Sequence, residues 1–454
     1  MAPISERARI AHLLRRAGFG AGEAELDEYA ALGFEASVER LVNPERVADD
    51  LDERLAALKP DYTRLADIQR AWLFRMVHTK RPLQEKLALI WHNHFATANA
   101  KVNAPILMWQ QYELFRSRGL GPFGELVGAV SRDPAMLLWL DGNANRTASP
   151  NENYGRELLE LFTLGIGNYT EDDVQAAARA FTGWSVRAQR DPATNRVTGA
   201  QVAFHPAQHD GGVKTFLGRT GAWTGEEIVG IILEQPACAA FVARTLFGAF
   251  AWDRPDEATV APYAAFLRRT GYDIRATLRA LFLSPAFSSE RAYRAKIKSP
   301  AELVAGALRT LGVEDVPREA LPSMRRMGQE LFNPPNVGGW TSGTGWISTS
   351  GLLERFNFAN RVVTARGGAD AAAFDPAALL GGKGLDTAER LADHCIALLL
   401  DGEVAPDQRA ALIAYLNRDD RGQPAAFSLN QRTLDGKVRG LLHLTMASPQ
   451  YQLS

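Results

Sequence analysis

Apolar residues recur along most of this chain at three- and four-residue intervals, the spacing of one buried stripe on a helix. The pattern predicts helices over Ser5–Ala17, Asp61–Val77, Leu83–Phe95, Pro105–Arg116, Pro150–Leu164, Glu171–Thr182, Glu226–Leu233, Val260–Arg269, Pro300–Leu311, Leu352–Thr364, Thr387–Leu400 and Asp435–Met446. Gly18, Gly165, Gly183 and Gly312 stand where C-terminal caps are expected. Two stretches break the rhythm. Between Trp184 and Gly218, short alternating runs (Trp184–Arg187, Gln201–Phe204, Val213–Leu217) flank a turn at Asp191-Pro192 and predict a small antiparallel hairpin or three-stranded sheet. From Phe332 to Ser350, Gly, Pro and Asn are too frequent for a helix, and the loop carries Trp340 and Trp346. The fold class is therefore mostly α: a large multi-helix globular bundle with a small β insertion near 184–218.

Composition narrows the function classes. Of 454 residues, 46% are hydrophobic and 23% charged, an ordinary globular balance. Lys plus Arg number 51 against 52 Asp plus Glu, so no bulk charge favours nucleic acid or an anionic membrane, and neither partner is expected. Arg15-Arg16 and Arg325-Arg326 read as solvated helix faces. Two cysteines, Cys238 and Cys395, make neither a disulfide framework nor a zinc pattern and read as buried apolar residues. No apolar run reaches the ~18 residues of a membrane span. No export signal stands at the N-terminus, so a cytoplasmic location is the default, with periplasmic or secreted placement left open.

Polar residues capable of chemistry gather between Trp91 and Lys214. Leu83, Leu87, Ile90 and His94 share one helical stripe, which turns His94 inward and His92 toward Glu85 and Ala88. Two histidines spaced i, i+2 cannot both face one metal from a helix. His94 is either a buried residue bonded to a neighbouring helix or a ligand or acid–base group. Ser149-Pro150-Asn151-Glu152 reads as a capping box with proline at the first helical position. Behind it, Asn153, Glu157 and Glu160 line the edge of an apolar stripe. Buried carboxylates need a cation, a hydrogen bond or a metal, and carboxylates projecting into a helical bundle can build metal sites. Arg156 pairs naturally with Glu152 and Glu160, and Arg179 is a counter-ion for the glutamates. Thr170 with Asp173 is a second capping box. The loop His209-Asp210-Gly211-Gly212-Val213-Lys214 offers a ligand or acid–base histidine, with Lys214 able to hold an anion. Phosphate-cradling, dinucleotide-binding and nucleophile-elbow glycine motifs are absent from the sequence.

Several of these segments, together with His12–Gly20, Asp133–Leu137, Asn151–Gly165, Tyr169–Trp184 and Asn336–Trp346, resemble the bacterial domain-of-unknown-function family numbered 1800. The resemblance runs almost end to end. It implies a bacterial protein, often encoded beside a family resembling alkaline phosphatases and sulfatases, which is thereby a possible functional partner. Two functional expectations stand. One is a metal-dependent hydrolase or oxidoreductase, with His94, Glu157, Glu160, His209 and Asp210 as catalytic groups. His94, Glu157, Glu160 and His209 would hold a divalent transition metal (zinc, iron or manganese), and Arg156, Arg179, Lys214, Trp340 and Trp346 would bind substrate. The other is a non-catalytic scaffold or binding protein, whose polar cluster is a structural ion-pair network and whose Trp340/Trp346 loop binds a partner or carbohydrate. Residues 1–366 read as the family core, and 367–454 as helices packed on it or continuous with it.

Overall fold

The computed structural model describes residues 5–366, 374–381 and 383–454. Helices dominate, as the periodicity predicts, and among the described residues strands are confined to the 184–221 insertion. The Pro82–His94 helix lies at the centre. Leu83, Glu85, Leu87, Ala88, Trp91 and His92 are all buried, and none of its residues is fully exposed. That burial corrects the one-stripe reading: His92 is sealed among Trp72, Phe115, Phe332 and Trp340, and His94 is the half-buried imidazole at the helix end. Glu85, also sealed, accepts hydrogen bonds from the Tyr112 hydroxyl and Arg116 Nε, both at 2.6 Å.

The expected Pro150–Leu164 helix is shorter and mixed. An α-helix over Asn153–Glu157 runs into a π-helical turn over Leu158–Thr163. Ser149 does not cap it. It forms a bridge with Arg146, while the Glu152 side chain goes to Arg156 Nη2 at 3.0 Å. The Thr170/Asp173 capping box does form and starts the Glu171–Ala180 helix. Gly155 lets that helix approach closely, since a Cβ there would meet Ala178 N at 3.0 Å and Val174 O at 3.1 Å. Gly165, Gly183 and Gly312 take positive φ; at the first helix that geometry falls on Gly20 rather than Gly18.

The insertion holds two hairpins instead of a three-stranded sheet. β1 (Trp184–Arg190) pairs antiparallel with β2 (Val197–Phe204) from Trp184↔Phe204 to Arg190↔Val197, with an irregularity at Gln189/Arg190. β3 (Lys214–Phe216) pairs with β4 (Arg219–Gly221), beyond the expected end.

One buried cluster runs from Ile10 to Tyr451. Arg16, expected on a solvated face, is 1% exposed and donates to the Ala292 carbonyl at 2.6 Å; Arg15 pairs with Asp401 at 2.6 Å. Arg325 and Arg326 are exposed, and both cysteines are buried and free. Among the described residues, no single helix is long and apolar enough to cross a membrane.

Candidate functional site

A cleft of about 390 Å³ opens between the end of the Pro82–His94 helix, the Pro236–Phe250 helix, the start of the Pro300–Thr310 helix and the Val337–Trp346 loop. His94 forms part of its wall. Its Nε2 lies 2.9 Å from the Phe162 carbonyl oxygen. That carbonyl belongs to the last turn of the π-helix, where no intrahelical N–H reaches it. A carbonyl only accepts, so Nε2 carries the proton and Nδ1 keeps its lone pair. Burial pushes the imidazole down to about 4, partly offset by the Phe162 bond, so the ring is neutral at pH 7.

Two ammonium groups also line the cleft. Lys86 Nζ is bonded to the Glu302 carboxylate and to the Gly18 carbonyl at 3.1 Å. Lys296 Nζ is bonded to Asp253 and to the Gly248 carbonyl at 2.7 Å. Each ammonium has three N–H groups; Lys296 retains one toward the cleft side, whereas Lys86, its side chain 4% exposed, stands over the Phe19 ring at 5.4 Å. Burial alone would raise the Glu302 carboxyl. Lys86, the Ser299 N–H and Lys296 outweigh it and bring Glu302 to about 2. Ser299 and Glu302 also form a capping box with Pro300 at the first helical position, which fixes the carboxylate on its helix end. Arg244 is exposed at the cleft and has no hydrogen bond or ion pair among the described residues.

Trp340 and Trp346 line the same cleft but are largely packed on the body, at 6% and 5% exposure. The Trp340 N–H donates to Asn93 Oδ1 at 2.7 Å, and its ring meets His92 edge-on at 5.3 Å. The loop is thus a wall fixed to the central helix.

The remaining expected site residues lie elsewhere. Arg179 does not reach Glu157 or Glu160; it grips Asp210 through Nε at 2.7 Å and Nη2 at 3.2 Å. Lys214 cannot hold an external anion, because its side chain is fully withdrawn from water; Nζ donates to the Asp210 carbonyl at 2.5 Å and the Gly212 carbonyl at 2.9 Å. Arg156 joins Glu152 and Glu171 rather than Glu160. Glu160 accepts from the Tyr169 hydroxyl at 2.7 Å. Burial, and then Glu160, raise the Glu157 carboxyl. His209 holds the Thr182 carbonyl through Nδ1 at 3.1 Å and lines a second cleft. The four proposed metal ligands therefore do not assemble. Among the described residues no three His, Cys, Asp or Glu side chains form a metal-binding group.

The family model described as "Protein of unknown function (DUF1800)" matches residues 12–453. The chain belongs to the DUF1800 family. No curated protein and no solved structure matches it. Within this DUF1800 chain, the sequence led to His94, Trp340 and Trp346 in the first cleft but missed Lys86, Asp253, Lys296, Glu302 and Arg244. The Ser299-Pro300-Ala301-Glu302 capping pattern was a visible signal for the Glu302 helix start; nothing local pairs it with Lys86, 216 positions away.

Proposed function

We propose that this DUF1800 protein binds a small anionic, hydrogen-bonding molecule in the His94 cleft, and that its buried charges are structural ion pairs. The observation carrying this reading is the charge balance of the cleft. Three cations (Lys86, Lys296, Arg244) face two carboxylates (Glu302, Asp253), and Arg244 alone among them has no partner among the described residues. An anion would meet Arg244, the spare Lys296 N–H and the Ser299 region, while His94 Nδ1 accepts from a ligand hydroxyl. The cleft volume lies in the range of small-molecule sites.

Acid–base catalysis is the weaker reading for the same cleft. A neutral imidazole held near 4 has no proton to give at pH 7 and is a poor base there, since catalytic groups work best with pKa values near the operating pH. The test is a thermal-shift and calorimetric screen of hydroxy-carboxylates, sugar phosphates and neutral sugars. Anionic ligands should stabilise the protein, and Arg244→Ala should weaken their binding about tenfold or more. If only neutral ligands bind, or if Arg244→Ala binds the anions equally well, the reading fails. Turnover of a bound ligand that disappears in His94→Gln would make the cleft an active site instead.

A further inference from the structure

The second cleft, also about 390 Å³, lies where β1 and β2 leave the helical body, and its character is different. Three aromatic rings, those of Phe181, Trp184 and Phe204, line it with His209. Trp184 and Phe204 are cross-strand partners with ring centroids 5.1 Å apart, and Phe204 meets His209 at 5.4 Å. Phe181 is backed by Tyr154 at 5.0 Å. Phe204 is nonetheless 43% exposed: a large aromatic held between two rings with much of its surface toward open space. A single exposed apolar residue needs no explanation, but here the exposed ring forms part of a concave, ring-lined wall.

The polar groups of this cleft are few and mostly spent. Arg132 and Glu226 on the rim neutralise each other at 2.6 Å. The Ser131 hydroxyl is shared with the Tyr154 hydroxyl at 2.5 Å. His209 is the exception. Nδ1 must carry the proton, because it faces the Thr182 carbonyl, and Nε2 is left as a lone pair with no hydrogen bond among the described residues. The ring is held firmly. Thr182 Oγ1 donates to the Arg179 carbonyl at 2.6 Å and accepts from the Asp210 N–H at 2.8 Å, and Arg179 and Lys214 clamp the Asp210 loop. Gly183, at φ 94°, accepts from the His205 N–H and donates to the Asn145 carbonyl, joining hairpin to body. The Arg179–Asp210–Lys214 cluster thus fixes the loop that presents His209 to the aromatic wall.

We infer that this second cleft is a binding site for a neutral, planar aromatic small molecule bearing one N–H or O–H donor, of the indole or phenol class. The aromatic face of the ligand packs on Trp184 and Phe204, and its donor reaches His209 Nε2. No unpaired charge in the cleft calls for an ionic group. The site is independent of the His94 cleft and shares no lining residue with it.

Indole is the probe, with 1-methylindole as the analogue lacking the donor and a short tryptophan-containing peptide as the macromolecular alternative. Binding is read by calorimetry on the full chain. Indole should bind the wild-type protein about tenfold tighter than 1-methylindole, the loss of one hydrogen bond. Phe204→Ala should weaken indole about tenfold by removing the most exposed of the three rings. In His209→Leu the two probes should become equal, which separates loss of the acceptor from any general loosening of the loop. His94→Gln should leave indole binding unchanged. The inference is overturned by no indole binding up to its solubility, by equal binding of both indoles to the wild type, by a loss in His94→Gln, or by binding of the peptide alone.

Discussion

At the scale of single residues, the Lys86–Glu302 pair carries most consequence. Both side chains are largely withdrawn from water, with side-chain exposures of 4% and 16%. Breaking a buried pair by removing one partner leaves the other charge uncompensated, at a cost of about 3–5 kcal/mol. Lys86→Met should therefore destabilise the protein by that amount in urea unfolding, with the slope of the transition unchanged. Glu302→Gln, which keeps an amide able to cap the helix but strands the Lys86 ammonium, should cost a comparable amount. The pair also sets an acid limb. The folded Glu302 carboxyl lies near 2, below its ordinary 4.5, so its contribution is full above about 4.5 and is lost as pH falls toward 2. In Glu302→Gln the stability curve should flatten across that window. A wild-type and a Glu302→Gln curve that run parallel from pH 5 to pH 2 would show that the carboxylate has no such role.

At the scale of elements, the Val337–Trp346 loop depends on one backbone geometry. Gly339 has φ 82°, and a Cβ there would fall on the Asn93 side-chain oxygen and carbonyl. Positive φ alone costs a non-glycine residue about 1–2 kcal/mol, and displacing the loop also loses the bond from the Trp340 N–H to Asn93. Gly339→Ala should lower stability by about 2–3 kcal/mol, alter tryptophan fluorescence and weaken anion binding in the first cleft, because that loop is one of its walls. Gly212→Ala, in the Asp210 loop, should leave the first cleft unaffected. Elements of this kind divide what the sequence reveals from what it hides. Periodicity exposes most of the long helices but misses Pro236–Phe250, a wall of the first cleft, and strand alternation finds β1 and β2. The stripe argument fails on the Pro82–His94 helix because every side is buried, and it therefore exchanges the surroundings of His92 and His94. The π-turn over Leu158–Thr163 has no compositional mark. It is defined by Leu164 N–H bonding back five residues to the Leu159 carbonyl, a choice made by packing against neighbours. The same limit applies to charge: Arg179 is legible as a counter-ion, but which carboxylate it takes depends on how the 184–221 insertion folds back.

At the scale of the whole molecule, the question is whether the C-terminal helices form a separate unit or hold the site together. The last residues run beside the segment that leads into the Pro300–Thr310 helix. Ile297 bridges Leu453, the Lys298 N–H donates to the Gln452 carbonyl at 2.9 Å, and the Ser454 N–H donates to the Lys296 carbonyl at 2.8 Å. Gln452 also ties three elements through its side chain. Nε2 donates to the Met446 carbonyl at 2.9 Å, and Oε1 accepts from Arg355 Nη1 at 3.3 Å, deep in the core. Arg355 in turn donates to the Lys298 carbonyl at 2.7 Å. Lys296 and Ser299 of this segment line the His94 cleft, so the C-terminal packing supports the cleft floor. Gln452→Ala leaves a buried guanidinium N–H without its acceptor, worth about 1–3 kcal/mol. If the chain folds as one cooperative unit, that loss should appear in a single unfolding transition, and hydrogen exchange should quicken at residues 296–302 as well as near the substitution. Anion affinity in the first cleft should fall with it, while indole binding in the second stays constant. Were residues 367–454 an independent unit, Gln452→Ala would split the transition in two and leave exchange at 296–302 as slow as in the wild type.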